Sequence, residues 1–417
     1  MTCLFLTRRF YPQADAATKC VFNLIHEGNA LGVEADVLYL AYQKAPVSAE
    51  YTAYCRPLPF YFPGAVDRES FSALLRFAPA SAAISLFQKV IGRVSKALVP
   101  SFRAAGLDAG LYLAFYHAVK KQLKKKNYDA IIATLCPAEA AYAASQLHGQ
   151  TPLFIYQLDP YTENLDMPAT FAVGRRRIEE KIYRQAARVF TTPLILAQKQ
   201  SGLFPCHHKC IALEFPLVRP AVCPPSAQTQ PLLCVFAGTF YPAIRPADDL
   251  VRLISLLGGE QATFVFAGSG QRSIPKIPEY PAAKPRLQCL GCLPAAQAEA
   301  LLQRADFLIN IDNTAPNQVP SKIFEYINYG KPIINLYYNK NSPSLGYLSR
   351  YPLVLNLLCT PCASRENALA LSQFLSQAAG CRVPPQQIHQ AFQACTPGYV
   401  AQIFYHSIKQ ALPASAP

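Results

Sequence analysis

The chain has 417 residues, of which 51% are hydrophobic and 15% charged, and its 39 basic and 25 acidic side chains leave a net charge of +14. That length exceeds one ordinary core and that apolar content excludes a disordered chain, so two globular domains are expected. The basic excess favours an anionic partner such as a phosphorylated small molecule or an anionic membrane surface, while the lack of interleaved aromatic and basic residues argues against nucleic acid.

The opening MTCLFLTRRF is too short for a secretory leader, and no apolar run reaches the roughly 18–20 residues that span a bilayer. A cytoplasmic protein, soluble or peripheral at the inner face of the membrane, is expected. Its 14 cysteines then read as reduced thiols.

In chain order, CLFL, TRRFYPQADAAT, KCVFNLIHEGNALG and EADVLYL read as strand, loop, amphipathic helix and strand, a βαβ unit whose helix turns Val21, Leu24, Ile25 and Leu31 to the sheet. Residues 50–127 alternate apolar groups with Arg76, Lys89, Arg93, Lys96 and Arg103, followed by the five lysines of KKQLKKKNYD. Such a basic amphipathic segment suits either a solvated helix face or an anionic membrane, where each basic residue is worth about 1 kcal/mol. A strand at 129–134, an alanine-rich helix and a strand at 153–158 repeat the βαβ pattern, ending in Asp159 and Pro160. EEKIYRQAARVFTTPLILAQKQ adds a helix, a short strand at 189–191 and another helix.

A proline-rich connection over 216–230 separates a first domain, 1–215, from a second, 231–384. The second restarts with LLCVFAGTFYP, a strand with a turn at Gly238. ADDLVRLISLLG gives a helix, and ATFVFAGSGQ a strand with a turn at Gly268 and Gly270. LQCLGCLP, AQAEALLQRA, DFLINID and PIINLYY continue the alternation. Residues 385–417 read as a helical segment that packs back on the first domain. Two successive parallel α/β units place a cleft where the carboxyl edges of their sheets face each other, which suits a ligand with two distinct ends.

Within NQVPSKIFEYINYGKPII, Ser321 is the expected N-cap, 322–329 the helix, Gly330 its left-handed close and Pro332 its stop. Free backbone N–H groups at such a start suit a phosphate, and Glu325, one turn inside, suits a pair of ribose hydroxyls. The pairs Cys289/Cys292 and Cys359/Cys362, and Cys206, His207, His208 and Cys210 of CHHKC, offer zinc ligands. The strand–helix–strand unit lying between the two pairs favours apolar cysteines, and no metal is expected.

FAGTFYPAIRPADDL, FVFAGSGQ, LGCLPAAQAEALLQRADFLINI and VPSKIFEYINYGKPII together resemble the donor-binding half of a retaining, family-4 glycosyltransferase of the group 1 type, and LFLTRRFYPQADAATKCVFNLIHEGNALGVEADVL resembles the start of its acceptor domain. The resemblance implies the GT-B fold, two Rossmann-like domains across a cleft. It also implies transfer of a sugar from a nucleotide-sugar donor to a saccharide or lipid-linked saccharide in cell-surface polysaccharide synthesis, without a metal or cofactor. It places Arg245 on the nucleotide diphosphate, Pro320, Ser321 and Lys322 in the loop that meets the phosphates, and Glu325 on the ribose. Gly238, Gly268 and Gly270 become backbone close to the nucleotide, Leu290 and Gly291 line the base pocket, and Asp15 and Thr18 face the donor. Asp159 is either a catalytic-side or acceptor contact or a structural Asp–Pro turn.

Three departures stand out. Asn317 replaces the first of the family's two glutamates eight apart, Thr239 replaces a common arginine, and ADAAT replaces a Gly-Gly loop. An unusual donor, a reduced activity, or a non-catalytic nucleotide-sugar-binding or scaffold relative would each account for them.

Overall fold

Short apolar runs between amphipathic helices are buried on both faces, which suits strands of parallel sheets covered by helices. The computed structural model describes residues 1–10, 15–41, 47–61, 100–165, 167–221, 231–241, 244–258, 261–270, 281–360 and 364–413. Arg76, Lys89, Arg93 and Lys96, most of the expected linker, and Cys362 lie outside the described residues.

The chain divides into two compact units, one of Met1–Pro216 with Pro397–Pro417 and one of Leu217–Thr396. In the first, β1 (Thr2–Thr7), α1 (Ala16–Ala30), β2 (Glu34–Ala41), α2 (Ala49–Thr52) and β3 (Arg56–Tyr61) are followed by α3 (Pro100–Ala105), α4 (Ala109–Leu123), β4 (Ala130–Thr134), α5 (Ala138–Leu147) and β5 (Leu153–Gln157). Then come α6 (Ala172–Gln185), β6 (Arg188–Thr191), α7 (Pro193–Ser201) and β7 (Cys210–Ala212). The sheet is parallel, in the order β3-β2-β1-β4-β5-β6-β7.

Asp36 sits in β2 opposite Arg56 of β3. It accepts from Arg56 Nε at 3.0 Å, Lys126 Nζ at 3.3 Å and the Tyr128 hydroxyl at 2.5 Å. Burial pushes its carboxyl up, and the bonds from Arg56, Tyr128 and Lys126 outweigh this, so the net shift is downward. A depressed carboxyl stabilises the fold above its unfolded value of about 3.9 and loses that contribution as pH falls through the folded value. Acid titration of unfolding should therefore show a limb below about pH 4 that is shallower in Asp36→Asn; equal slopes would refute this role.

The second unit contains β8 (Leu232–Ala237), α8 (Asp248–Leu256), β9 (Ala262–Ala267), β10 (Leu287–Gly291), α9 (Ala295–Arg304), β11 (Phe307–Ile311), α10 (Lys322–Ile327), β12 (Ile333–Tyr337), α11 (Pro343–Leu348), β13 (Val354–Leu358), α12 (Ser364–Ala378) and α13 (Pro385–Ala391). Its sheet is also parallel, in the order β10-β9-β8-β11-β12-β13. Gly330 takes φ +63° after α10, as a helix-closing glycine should. The adjacent Lys331 is fully buried and donates to the carbonyls of Leu302, Gln303 and Ala305, capping the end of α9 with a charge that its dipole favours.

The return to the first unit begins at Pro397, with α14 (Pro397–Ala411), rather than at 385. α13 stays with the second unit. Val218 N donates to Cys395 O at 3.0 Å, and Arg350 covers the Phe392 ring at 4.8 Å. In α14, Phe404 packs on Phe190 and Tyr156 at 4.4 and 5.9 Å between ring centres, and the Tyr405 hydroxyl donates to Leu24 O at 3.0 Å. Among the described residues, no helix is long and apolar enough to cross a membrane.

Candidate functional site

In the second sheet the chain winds from β8 outward to β10 and then returns to the other side of β8 at β11. Loops leaving β8 and β11 at the carboxyl edge diverge there, the position where open α/β sheets receive ligands. Arg245 belongs to the loop after β8. Its backbone N donates to Tyr241 O at 2.6 Å, and Thr314 N donates to the neighbouring Ile244 O at 2.7 Å, which joins the loops after β8 and β11.

The Arg245 guanidinium donates from Nη2 to Asn313 Oδ1 at 2.8 Å, while its buried Nε has no partner among the described residues. Burial pushes the guanidinium down from its ordinary value, against the pull of Tyr326, Asp312, Tyr241 and Tyr338. Asp312, at the end of β11, does not close an ion pair with it. That carboxylate accepts from Asn313 N at 2.8 Å and from the hydroxyls of Ser342 and Ser344. Burial pushes the Asp312 carboxyl up, and those three donors oppose the shift. The result is a half-buried cation, fixed in the backbone, with a donor still unused.

Gly238, Thr239, Gly268 and Gly270 surround the same edge. Gly238 N donates to Ala267 O at 2.9 Å, and Gly268 N to Gly291 O at 2.7 Å. Gly268 has φ +142°, and a Cβ there would lie 1.8 Å from Gly238 O; at Gly270, φ +81°, it would lie 2.2 Å from Phe240 O. These two glycines are thus required by the close approach of the two turns to each other. The Thr239 hydroxyl bonds to that of Ser269 at 2.7 Å. Gly291 has φ +73° with nothing near its missing side chain, and Leu290 is 46% exposed on the edge strand β10.

Tyr326 brings α10 to this edge. Its buried hydroxyl accepts from Ala237 N at 3.1 Å and donates to Ala237 O at 3.2 Å, at the last residue of β8. On the same helix Lys322 Nζ donates to Glu325 Oε2 at 2.9 Å, so the residues expected on phosphate and ribose pair with each other. Ser321 does not cap by its side chain: it has helical φ −59° and ψ −19°, a conformation that is not the extended one from which an N-cap oxygen reaches back into the first turn. Pro320 is buried before it, its carbonyl accepting from Ile323 N at 3.1 Å, and Asn317 lies in the preceding turn.

Asp15, Thr18 and Asp159 belong to the first unit. Asp15 caps α1, its Oδ1 lying 2.8 Å from both Thr18 N and Thr18 Oγ1, and the Thr18 hydroxyl also reaches Arg9 O at 2.9 Å. These contacts give the pair a local capping role. Asp159 follows β5 at the carboxyl edge, half-buried, with its carbonyl accepting from Gln157 Nε2 at 3.2 Å. Among the described residues, no three potential metal ligands stand together. Asn313, Asp312, Ser342, Ser344 and Tyr326 had no place in the sequence reading. A polar pair directly after the buried strand DFLINI was the available signal.

No protein-family model matches the sequence, and no curated protein matches it. Solved structures do. Sucrose-phosphate synthase from Thermosynechococcus elongatus matches at 15% identity with a TM-score of 0.66 over 98% of each chain. HepE of Anabaena, solved with UDP and glucose, matches at 14% identity and a TM-score of 0.63, over 98% of this chain and all of its own. The lipopolysaccharide outer core galactosyltransferase WaaB matches at 13% identity and 0.58, over 99% of this chain and all of its own. With its two parallel-sheet α/β units, the chain therefore has the GT-B glycosyltransferase fold.

Proposed function

We propose that this protein transfers a sugar from a nucleotide-sugar donor to a saccharide or lipid-linked saccharide acceptor, with retention, as in family 4. The observation that carries this reading is Arg245, a fixed cation with an unused buried donor at the reversal point of the second sheet. The fold it shares with HepE, solved with UDP and glucose, supports the choice of ligand.

In this mechanism the nucleoside diphosphate leaves, and donors already aimed at its oxygens lower the barrier as charge develops. Arg245 meets that charge from Nε. Lys322 exchanges its ion pair with Glu325 for the diphosphate, and the released Glu325 accepts from the ribose hydroxyls. Both cations are supplied by the protein, so the chemistry runs without a metal. The acceptor attacks on the face that the diphosphate leaves, and the departing phosphate takes the acceptor's proton. Asp159, at the carboxyl edge of the first sheet, contacts the acceptor. Exposed Lys120, Lys121, Lys124 and Lys125 at the end of α4 suit a peripheral position at the inner face of an anionic membrane, in a cell-surface polysaccharide pathway.

Incubation with a panel of UDP-, GDP- and ADP-sugars, with membrane lipid extract as acceptor source, tests the proposal. One donor is expected to bind and release its nucleoside diphosphate; if no donor binds, the reading fails. The Thr239 hydroxyl bonded to Ser269, and Asn317 in place of an acid, favour a second reading as a non-catalytic nucleotide-sugar binder. Binding without turnover would select it.

A further inference from the structure

A second unpaired cation lies in the first unit. Arg175, in the first turn of α6, is 2% exposed and ranks among the largest fully buried side chains, yet its buried Nε and Nη1 have no hydrogen-bond partner among the described residues. The acid one turn along its own face, Glu179, does not neutralise it. Glu179 accepts from Gln157 Nε2 at 3.0 Å, from the Thr162 hydroxyl, and from Lys199 Nζ at 2.7 Å. Buried Glu139 accepts from Asp108 N at 2.8 Å, and among the described residues no ion pair joins it to Arg175.

The buried Tyr161 hydroxyl, in the loop after β5, is also without a partner among the described residues. Arg175, Glu139 and Glu179 all act on it electrostatically; burial first, then the two carboxylates, push the phenol up and keep it a protonated donor. Tyr161 follows β5 and Arg175 opens the next helix, so both unused donor groups belong to the carboxyl-edge side of the first sheet, within electrostatic reach of each other. Asp159 and Tyr161, both after β5, are half-buried at that edge. Water-to-interior transfer of an unpaired guanidinium is costly, and an oxyanion is the group whose charge and acceptors answer both donors.

We infer that the first unit holds an oxyanion site in which Arg175 and the Tyr161 hydroxyl bind a phosphate or carboxylate group. Under the transfer reading this group is the anionic end of the acceptor, but the site stands without that reading.

Titration calorimetry at fixed ionic strength on the full chain carrying Arg245→Gln and Lys322→Gln, which removes both second-unit cations assigned to the diphosphate, reads the first unit. One saturable site is expected for inorganic phosphate or for glucuronate, each run separately. Phosphate alone assigns a phosphorylated ligand and glucuronate alone an acidic sugar. Adding Arg175→Gln should weaken it about tenfold or more, and adding Tyr161→Phe about threefold. Absence of saturable binding by either probe, or affinity unchanged by these substitutions, overturns the proposal. Should Arg175→Gln not fold, Tyr161→Phe, which deletes one hydroxyl, decides by itself.

Discussion

Replacing Arg245 with glutamine is expected to lower donor turnover by about 10²–10³-fold, the usual effect of removing one donor aimed at developing negative charge. Stability should move the other way or not at all. Among the described residues the Arg245 guanidinium donates to Asn313 and leaves Nε buried without a partner. Removing a half-buried charge that closes no ion pair relieves desolvation, so the variant should melt at or above the parent temperature. The opposite pattern would assign Arg245 to the scaffold: a large fall in melting temperature with turnover retained. Kinetics with the accepted nucleotide sugar and a thermal melt of the same preparation read both halves of the prediction.

Lys199→Met should destabilise the first unit by about 3–5 kcal/mol, because it strands a buried carboxylate. Lys199 and Glu179 are both 0% exposed at the side chain, and the ammonium donates to Glu179 Oε2 at 2.7 Å and to Glu163 Oε1 and Oε2 at 3.0 and 2.9 Å. Adding Glu179→Gln to Lys199→Met neutralises the stranded group while keeping one oxygen to accept from Gln157 Nε2, with the new amide N–H able to donate to the Thr162 hydroxyl oxygen, and most of the loss should return. Urea unfolding followed on the first unit's transition measures both. If the single variant is as stable as the parent, the buried network contributes nothing. If the double variant recovers nothing, packing rather than charge explains the loss.

These two predictions differ in how visible they were beforehand. Arg245 stood at a readable distance from a strand and a glycine turn, so local pattern located it. Lys199 and Glu179 lie on separate helices with β6 between them, and their meeting depends on tertiary packing that no local period encodes. The same contrast runs through the fold. Buried strands and their alternating helices were legible from apolar runs, and Gly330 from its place after a helix. Ser321 had the right chemistry for a cap, but its backbone is helical, and only the dihedral angles reveal that. The crowding at Gly268 and Gly270 comes from the turn after β8, a contact between separate strands that local sequence does not encode. Lys331 carries no local signal between Gly330 and Pro332, because its three carbonyl partners lie at the end of a helix well upstream.

The passage of the chain out of the first unit at Pro216 and back at Pro397 imposes an order on synthesis. The sheet of the first unit is translated as far as β7 before any of the second unit exists, yet Phe404, which packs on Tyr156 and Phe190, comes after all of it. At about 5–20 residues per second the ribosome needs roughly ten to forty seconds to cross that interval. Throughout it the aromatic seat for Phe404 is open on the nascent chain, and by its end the second unit has its whole sequence available and can fold before the first is complete.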